Sequence, residues 1–453
     1  MKILLLSTYD LGRQPFGLAS PAAWLRKAGA EVFCLDLFLD GLDESRVRSA
    51  DLVAFHVPMH TATRLAVRAL ERVKSLNPRA HLCFYGLYAP VNEGYLRGLG
   101  VQTLLGGEFE KGLVGLVRKL QGDNGRVQED SVVSLERLEF EVPDRRGLPD
   151  LSRYARLNLG DGRIRTVGYT EASRGCKHLC RHCPVVPVYK GAFRIVQREV
   201  VLEDIRRQVA RGARHITFGD PDFFNGVRHA VALAQSLHKE HPDLTYDVTM
   251  KVEHLLRHAA HLPTLRDTGC LFVTSAVEST DDRILEIFDK GHTREDFIRV
   301  VHLCREIGLN LNPTFVTFTP WTTLGGYRDL LSVLVELDLV EQVSPVQLAI
   351  RLLIPAGSRL LELPEVTGVI GKFDEAALSY IWLHEDPRVD QLHRDVLDIV
   401  KRGEARGDSR RLIFTQIWRA AHLADEAEEA DVPAAPLLPS QATIPFLTEP
   451  WYC

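Results

Sequence analysis

The stretch SRGCKHLCRHCPVVP, residues 173–187, brings three cysteines together on one short segment. These cysteines are Cys176, Cys180 and Cys183. Structural zinc takes four ligands in a closed tetrahedron, and an iron–sulfur cubane usually takes four thiolates. Three thiolates on one loop can therefore hold three irons of a cubane and leave the fourth iron open to a substrate or cofactor. The alternative is a zinc ion at a Cys3His site, with His178 or His182 as the fourth ligand.

The composition is that of a globular protein with several domains. The chain has 453 residues, of which 45% are apolar and 25% charged, enough for a large buried core. Its net charge of −5 argues against nonspecific nucleic-acid binding, and we see no added basic domain for RNA. No apolar run approaches the ~20 residues of a membrane span, and the start MKILLLSTYD lacks the features of a signal peptide. We therefore expect a soluble, cytoplasmic protein with no membrane partner.

The other cysteines of the chain do not extend the trio. In a long cytosolic chain, cysteines are more often reduced, metal-bound or catalytic than disulfide-paired. Four of them fall in apolar strand or helix patterns and are expected to be small buried hydrophobes; they are Cys34, Cys83, Cys270 and Cys304. That leaves the trio and the last residue, Cys453.

Two series of alternating strand and helix signals predict an α/β protein. Residues 1–120 indicate a Rossmann-like, doubly wound parallel sheet, and the polar residues 121–165 a linker that packs loosely on both neighbours. Residues 166–355 hold six or so βα repeats, typical of a full or partial parallel barrel, with a last strand at VQLAIRLLI (346–354). Chemistry in such barrels lies at the carboxyl ends of the strands, and the trio follows the first of them. Residues 356–453 are predicted to be a helical, charged extension with a proline-rich tail.

The trio and its surroundings resemble a known family. Cys176-x3-Cys180-x2-Cys183 resembles the signature of the radical S-adenosylmethionine (SAM) superfamily, and TEASRGCKHLCRHCP is similar to the opening of members with an N-terminal cobalamin-type domain. His182 stands where an aromatic residue is commoner, and it could stack near the adenine of SAM. The resemblance implies an oxygen-sensitive 4Fe–4S cluster whose open iron chelates SAM, and a one-electron donor of the flavodoxin or ferredoxin type. Cleavage of SAM would normally give a 5′-deoxyadenosyl radical that attacks a small-molecule substrate.

Further segments match the family in the expected order. ITFGDPDFF (216–224) resembles the segment that receives the amino group of SAM, TSAVES and LEIFDKGHT resemble the family's later SAM-binding segment, and TFVTFTPWTT (314–323) resembles the strand that closes over the adenosine. The implied SAM contacts are Asp220, Asp222, Ser275, Glu278 and Thr317. One of the two aspartates could instead cap a helix, and Glu278 alone would be an ordinary strand-end carboxylate. Lys251 ends another strand and either faces the cavity or is solvated.

The N-terminal domain resembles a cobalamin-binding domain at its end, where the turn formed by Gly107, Glu108 and Glu110 leads into the last helix. The Asp-x-His-x-x-Gly motif that supplies a lower histidine ligand is absent, because STYDLGRQPFG follows the first strand. Two interpretations stay open: cobalamin bound without a protein imidazole, or a domain with only a scaffolding role.

The chain ends in TEPWYC, and Cys453 resembles the cysteine of radical SAM proteins whose tail reads Cys-selenocysteine-Ala-Glu-Pro or Cys-Cys-Ala-Glu-Pro. We hypothesise that a UGA codon for selenocysteine follows Cys453, which a different stop codon there would contradict. A vicinal thiol–selenol pair would be a catalytic nucleophile or a ligand for arsenic or selenium. The plain alternative is a frayed terminal cysteine.

The sequence therefore supports one main interpretation and several alternatives. The main one is a radical SAM enzyme that acts on an unidentified small molecule. The tail favours a variant that transfers the aminocarboxypropyl group of SAM to a soft acceptor, and the N-terminal domain favours cobalamin-dependent methyl transfer. A zinc-binding scaffold protein is the alternative from another class, and it would be colourless where a cluster protein is brown.

Overall fold

The computed structural model describes residues 1–122, 132–424 and 445–449. The strands of its first sheet are β1 (Lys2–Ser7), β2 (Glu31–Asp36), β3 (Leu52–His56), β4 (His81–Tyr85), β5 (Thr103–Gly107) and β6 (Val133–Ser134). The helices among them are α1 (Phe16–Lys27), α2 (Glu44–Ser49), α3 (His60–Leu76), α4 (Tyr88–Val91), α5 (Glu93–Gly98) and α6 (Glu110–Leu120). All six strands are parallel, in the order β2-β1-β3-β4-β5-β6.

Both faces of this first sheet are buried, as the apolar strands predict. Leu4 and Leu6 of β1 belong to the hydrophobic core on one face, and Ile3 and Leu5 belong to the core on the other. The strand order reverses between β1 and β3, and ligands of doubly wound sheets bind at such a switch point, beyond the carboxyl ends of the strands. The prediction of a Rossmann-like domain is confirmed.

The second sheet carries the barrel part of the fold. The strands that follow β6 are β7 (Arg156–Asn158), β8 (Ile164–Thr170), β9 (Ser173–Gly175), β10 (Phe193–Ile195), β11 (His215–Phe218), β12 (Thr245–Thr249), β13 (Cys270–Glu278), β14 (Asn310–Phe315), β15 (Ile370–Asp374), β16 (Ser379–Trp382) and β17 (Phe446–Leu447). Seven of them form one sheet in the order β14-β13-β12-β11-β8-β7-β17. β8 and β11–β14 run parallel, and β7 and β17 are antiparallel additions at one edge. The predicted barrel is therefore a partial one.

Helices connect the parallel strands of the second sheet. They are α7 (Val186–Tyr189), α8 (Arg198–Ala210), α9 (Val227–Glu240), α10 (Val252–Arg257), α11 (Leu262–Asp267), α12 (Asp282–Phe288), α13 (Arg294–Ile307) and α14 (Leu324–Glu336). Short 3-10 helices lie at Leu151–Arg153, Phe223–Gly226, Ala259–His261, Pro345–Ala349 and Arg359–Glu362. This alternation confirms the βα repeats read from the sequence.

The strand predicted at 346–354 is wrong. Pro345–Ala349 forms a 3-10 helix. Within the predicted strand, only Arg351 forms a β-bridge, an isolated parallel bridge to Phe318. The side chain of Gln347 accepts a hydrogen bond from Phe315 N at the end of β14, where a strand would have supplied a backbone carbonyl. A short apolar run does not by itself distinguish a buried strand from a buried turn of helix.

The segment predicted as a loose linker packs firmly on the second domain. Arg145 has 4% of its surface exposed and makes an ion pair of 2.8 Å with the buried Asp204. It also donates to the side chain of Gln14 in the first domain and to the backbone carbonyl of Tyr169. Arg145 therefore joins the two domains through a buried charge, and β6 extends the first sheet.

The C-terminal region is helical only in part. After a hairpin of β15 and β16, which the sequence did not predict, come α16 (Pro387–Arg406) and α17 (Arg410–Leu423); α15 (Pro364–Thr367) precedes the hairpin. Apolar residues of α16 and α17 belong to the core of the partial barrel. Cys453 and most of the proline-rich tail lie outside the described residues, and the four predicted domain bounds stay predictions. No helix among the described residues has the length and apolar character needed to cross a bilayer.

Candidate active site

The loop that carries the cysteine trio begins at a position where only glycine fits. β9 and β10 pair antiparallel and frame the loop, and Gly175 ends β9 with a φ of +71°. A Cβ on Gly175 would lie 2.3 Å from the ring of Tyr189 and 2.6 Å from the carbonyl of Ala192. The glycine before the first cysteine therefore sets the path of the loop, at the carboxyl end of β8.

The three thiols are mostly shielded from water. Cys180 has 6% of its surface exposed, and Cys176 and Cys183 are half-buried. Burial raises the pKa of the Cys176 thiol and raises that of Cys183 to about 12. Asn225 holds the start of the loop, because its Oδ1 lies 3.7 Å from Cys176 Sγ and accepts from Lys177 N at 3.2 Å. A metal bound at these thiols would itself favour their thiolate forms.

Lys290 lies near the cysteine loop, within a buried chain of charges. Its Nζ lies 3.2 Å from Glu278 Oε1, and the same oxygen lies 3.1 Å from His182 Nε2. Burial alone would lower the pKa of Lys290, but Glu278 and the thiols of the loop raise it. Burial would likewise raise the pKa of Glu278. The interactions with Lys290 and His182 outweigh the effect of burial and hold the pKa of Glu278 well below its usual range. The charged forms of both groups are therefore stable beside the cysteines.

Glu278 also has an unusual backbone. It ends β13 with a φ of +71°, in the left-handed region that side chains other than glycine rarely adopt, next to an irregularity in the pairing with β14. Such strain costs ~1–3 kcal/mol and persists where the surroundings hold it, often at functional sites. His182, beside it, stacks on the ring of Phe288 with centroids 4.4 Å apart. The interpretation of Glu278 as an ordinary strand-end carboxylate does not account for this geometry.

The two aspartates after β11 have different surroundings. Asp220 accepts from Ser173 Oγ at 2.6 Å and from Ala172 N at 2.9 Å, and burial raises its pKa to about 7. It therefore holds the segment that leads into the cysteine loop. Asp222 caps the 3-10 helix Phe223–Gly226 by accepting from Phe224 N, and its Oδ2 lies 2.8 Å from His254 Nδ1. The helix-cap role foreseen for one aspartate thus falls to Asp222.

The remaining predicted residues line the same edge of the sheet. Lys251 is buried rather than solvated, with 7% of its surface exposed, and its Nζ lies 3.7 Å from Glu253. Ser275 is fully buried, and its Oγ has no hydrogen-bond partner among residues 1–122, 132–424 and 445–449. Thr317 donates to the backbone carbonyl of Ile350 at 3.2 Å. The structure thus collects the predicted residues at the carboxyl ends of β8 and β11–β14.

The acidic turn of the first domain is occupied by an arginine of the cysteine loop. Arg174 lies 3.2 Å from Glu108, 2.8 Å from Glu110 and 2.8 Å from Glu171, and all four residues are shielded or half-buried. Gly107, at the start of the turn, has a φ of +68° and lies so close to the carbonyl of Ser134 that a Cβ would be 2.1 Å from it. The turn therefore ties the two domains together next to the trio.

A cavity of about 200 Å³ lies between the two domains, at the switch point of the first sheet. Glycines form much of its wall, and they are Gly17, Gly86, Gly107, Gly175 and Gly219. His56, which ends β3, also lines it; its Nδ1 has no hydrogen-bond partner, and burial together with Arg174 lowers its pKa to about 3. Sequence reasoning missed His56 and Arg174. The only signals were a histidine that ends an apolar strand and an arginine beside the glycine of the loop.

A second cavity of about 290 Å³ lies inside the partial barrel. Its wall combines apolar side chains with polar ones from the inner faces of successive strands, and Arg13 and Arg410 also line it. The polar residues of the strands are Thr217, Asp247, Thr249, Thr274 and Asn312. Gly219 lines both cavities. The carboxyl edge of the second sheet therefore lies between this second cavity and the interface of the two domains.

This fold and site define a class: an α/β protein with an N-terminal doubly wound domain and a partial barrel that presents three thiols on one loop. Residues 170–323 match the model of the Radical SAM superfamily. These residues therefore form a radical SAM domain, and members of that superfamily use a 4Fe–4S cluster and SAM.

Relatives and solved structures agree with this assignment. The hopanoid C-3 methylase of Methylococcus capsulatus is 24% identical over 338 residues, which cover 70% of this chain and 64% of that protein. An uncharacterized methyltransferase of Pyrococcus horikoshii is 25% identical over 51% of this chain and 50% of its own length. This chain thus aligns with less than two thirds of either relative.

The fold as a whole is shared with two solved enzymes. The cobalamin-dependent SAM radical enzyme OxsB, with aqua-cobalamin bound, superposes with a TM-score of 0.68 at 15% identity, covering 95% of this chain and 74% of that one. The radical SAM methyltransferase TsrM of Kitasatospora setae, with cobalamin and a 4Fe–4S cluster bound, gives a TM-score of 0.57 at 18% identity, over 74% of this chain and 70% of that one. The shared two-domain architecture confirms the predicted fold class.

Proposed function

We propose that the chain binds a 4Fe–4S cluster through Cys176, Cys180 and Cys183, cleaves SAM reductively and directs the resulting radical at a small-molecule substrate. The observation that carries the proposal is the glycine-bounded loop of three thiols at the carboxyl edge of the parallel strands, within a radical SAM domain. Three thiolates leave the fourth iron of a cubane open for SAM. A one-electron donor of the flavodoxin or ferredoxin type completes the proposal.

The spacing of the thiols suits a cubane better than a single zinc ion. Thiolates bound to one zinc at ~2.3 Å lie about 3.8 Å apart. The three Sγ atoms of the loop do not all lie within 4.8 Å of one another. The positive charge of Lys290 opposes the effect of burial on the pKa of Cys183, which suits a cluster that is held by charged ligands. These observations weigh against the zinc scaffold as the role of the trio.

The chemistry supplied there when a cluster is bound is chelation of SAM and delivery of one electron to its sulfonium. Around it, the chain orients SAM. Ser275 Oγ is buried and unpartnered, so it is available to a polar group of SAM. Glu278 Oε1 accepts a hydrogen bond from Lys290 Nζ and lies beside His182 Nε2. Because these groups keep Glu278 charged, its other oxygen suits an ammonium or hydroxyl group of SAM. We assign Asp220 the role of positioning the loop, because Ala172 and Ser173 occupy its carboxylate.

We assign the substrate to the polar cavity inside the partial barrel. A chamber of about 290 Å³ lined by threonines, Asp247 and Asn312 suits a small molecule with several hydroxyl, amino or amide groups. Asp247 is partly satisfied, since it accepts from Thr217 and contacts His215 at Oδ1. Asn312 Oδ1 has no hydrogen-bond partner in the described part of the chain, so a donor on the substrate would satisfy it.

The test is the identity of the nucleoside that the protein releases. The protein is purified without oxygen, reconstituted with iron and sulfide, and incubated with SAM and dithionite. We expect 5′-deoxyadenosine by mass spectrometry, which supports the main proposal. 5′-Methylthioadenosine would instead indicate transfer of the aminocarboxypropyl group. If a fully loaded protein released neither nucleoside, the proposal would be wrong.

A second candidate function is cobalamin-dependent methyl transfer, and the cavity between the domains favours it. Its glycine wall is a cradle that side chains would fill: a Cβ on Gly17 would lie 2.0 Å from the ring of His56. The cavity of about 200 Å³ holds only part of a corrinoid, so the rest would lie over its mouth. The relatives named for methyl transfer and the solved structures that contain cobalamin support this candidate. Gly17, His56 and Gly86 would hold the buried part.

Leu87→Trp is expected to weaken cobalamin binding without stopping SAM cleavage. Leu87 is half-buried at the cavity wall, and an indole there would fill space that the corrinoid needs. We expect the dissociation constant for hydroxocobalamin, measured by its absorbance under anaerobic conditions, to rise by at least about tenfold, or about 1.4 kcal/mol. The exposed Leu383→Trp variant is the matched control. If the unaltered protein does not bind hydroxocobalamin, the first domain has only a scaffolding role.

A further inference from the structure

Beside the cysteine loop, two histidines meet the carboxylate that caps the 3-10 helix Phe223–Gly226. His178 lies between Cys176 and Cys180 in the loop, Asp222 follows β11, and His254 follows β12. One nitrogen or oxygen atom of each lies within 4.8 Å of those of the other two. Three separate strand ends thus send a potential metal ligand to one point.

The distances are those of atoms that share one metal ion. His178 Nε2 and His254 Nε2 are 3.1 Å apart, and His178 Nε2 lies 3.9 Å from Asp222 Oδ2. Two ligands bound to one ion at ~2.0–2.1 Å lie ~3–3.5 Å apart. Two imidazoles and one carboxylate are also a ligand set that zinc and ferrous iron favour. The two Nε2 atoms already have this separation. Asp222 Oδ2 now faces the other nitrogen of His254, Nδ1, at 2.8 Å, so the carboxylate must turn toward the two Nε2 atoms to complete the set.

His254 is fully buried, and its Nδ1 faces a carboxylate. Asp222 Oδ2 lies 2.8 Å from that nitrogen, but among the described residues the contact is not aligned as a hydrogen bond. A buried ring nitrogen without a well-aligned hydrogen bond costs free energy. A divalent cation shared by the rings and the carboxylate would offset this cost.

The surrounding charges suit a cation as well. Glu253 Oε2 lies 3.6 Å from His178 Nδ1, the ring nitrogen opposite the metal-facing one. A carboxylate at that position orients a histidine ligand and fixes its tautomer. Glu253 is itself paired with two cations, since Lys251 lies 3.7 Å and Arg257 2.7 Å from it. Asp222 therefore supplies the negative charge at the point where the ligands meet.

We infer that His178, Asp222 and His254 bind one divalent transition-metal ion, zinc or ferrous iron, separate from the cluster of the cysteine trio. Three protein ligands leave at least one coordination position for water or for a donor atom of a substrate. The ion would fasten the cysteine loop to the ends of β11 and β12. The inference does not depend on the proposed SAM chemistry, because it concerns ligands that the cluster does not use.

The test uses the reconstituted holoprotein and zinc alone as the probe. Zinc is added in excess under anaerobic conditions, free metal is removed, and the metal content is measured by mass spectrometry. We expect one zinc per chain in addition to the iron of the cluster. Zinc X-ray absorption is expected to show nitrogen and oxygen neighbours at ~2.0–2.1 Å and no sulfur at ~2.3 Å.

His254→Gln and His178→Gln are each expected to weaken zinc binding by more than about a hundredfold, since even the outer partners of metal ligands contribute 10–100-fold. The matched control is His258→Gln, because His258 contacts the ring of His254 at 5.6 Å between centroids but is outside the ligand set. His178 is partly exposed, so its variant tests the site without a buried substitution. Zinc with sulfur neighbours would overturn the inference, as would no retained zinc. The latter would mean that the two rings simply share a hydrogen bond.

Discussion

Cys176→Ala is expected to abolish nucleoside release and to remove most of the iron from the protein. Loss of one of three thiolates leaves the cluster with two protein ligands, and even outer partners of metal ligands contribute 10–100-fold to affinity or activity. We therefore expect a loss of more than about a hundredfold in the rate of SAM cleavage. The measurements are iron content, the brown absorbance after reconstitution and the nucleoside yield.

The matched control for this variant is Cys304→Ala. Cys304 is also a described, buried cysteine, but it packs in the hydrophobic core on α13, away from the loop. Burial raises the pKa of its thiol to about 12, so it stays a neutral, apolar group. Its variant should retain the iron content and the nucleoside yield of the unaltered protein. Equal iron content in Cys176→Ala and Cys304→Ala would contradict the assignment of the cluster ligands.

The sequence predicted those parts of the molecule that local patterns determine. Apolar runs such as KILLLS specify buried parallel strands, and both sheets follow from their alternation with helices. The position of the trio after β8 follows from the same alternation, because the carboxyl ends of parallel strands share one edge. Gly175, directly before the first cysteine, turns the chain into the loop with a φ of +71°.

The contacts between distant segments could not be predicted in the same way. His178 and His254 are 76 residues apart, and Arg174 and Glu108 are 66 apart. Each pair depends on how strand ends and domains come together, which no local pattern encodes. The wrong strand at 346–354 has a related cause, since a side chain, Gln347, takes the place of a strand at the end of β14.

Arg174→Ala is expected to lower the free energy of unfolding by about 3–5 kcal/mol, the usual cost of removing one partner from a buried ion pair. Arg174 has 7% of its surface exposed, and Glu108 and Glu110 have none. Alanine would leave these two carboxylates and Glu171 without their shared cation. Urea unfolding followed by tryptophan fluorescence measures the change. Arg163→Ala is the control, because Arg163 pairs with Asp161 at the surface, where such pairs contribute about 0–1 kcal/mol.

Glu108→Gln should have the opposite effect, and the effect should depend on pH. Burial raises the pKa of Glu108 from 4.5 to about 7. A raised carboxyl pKa stabilises the fold below the unfolded value, and this contribution is lost as pH rises through about 7. At pH 5 the buried carboxyl is protonated, so glutamine should change little. At pH 8 three carboxylates, those of Glu108, Glu110 and Glu171, share the single cation of Arg174. Glutamine removes one ionised, desolvated carboxylate from this group, so the variant should be at least as stable as the unaltered protein.

The opposite outcome would contradict this expectation. If the variant, compared with the unaltered protein at the same pH, lost more stability at pH 8 than at pH 5, Arg174 would need the charge of Glu108. In that case the acidic turn would join the two domains through a full ion pair.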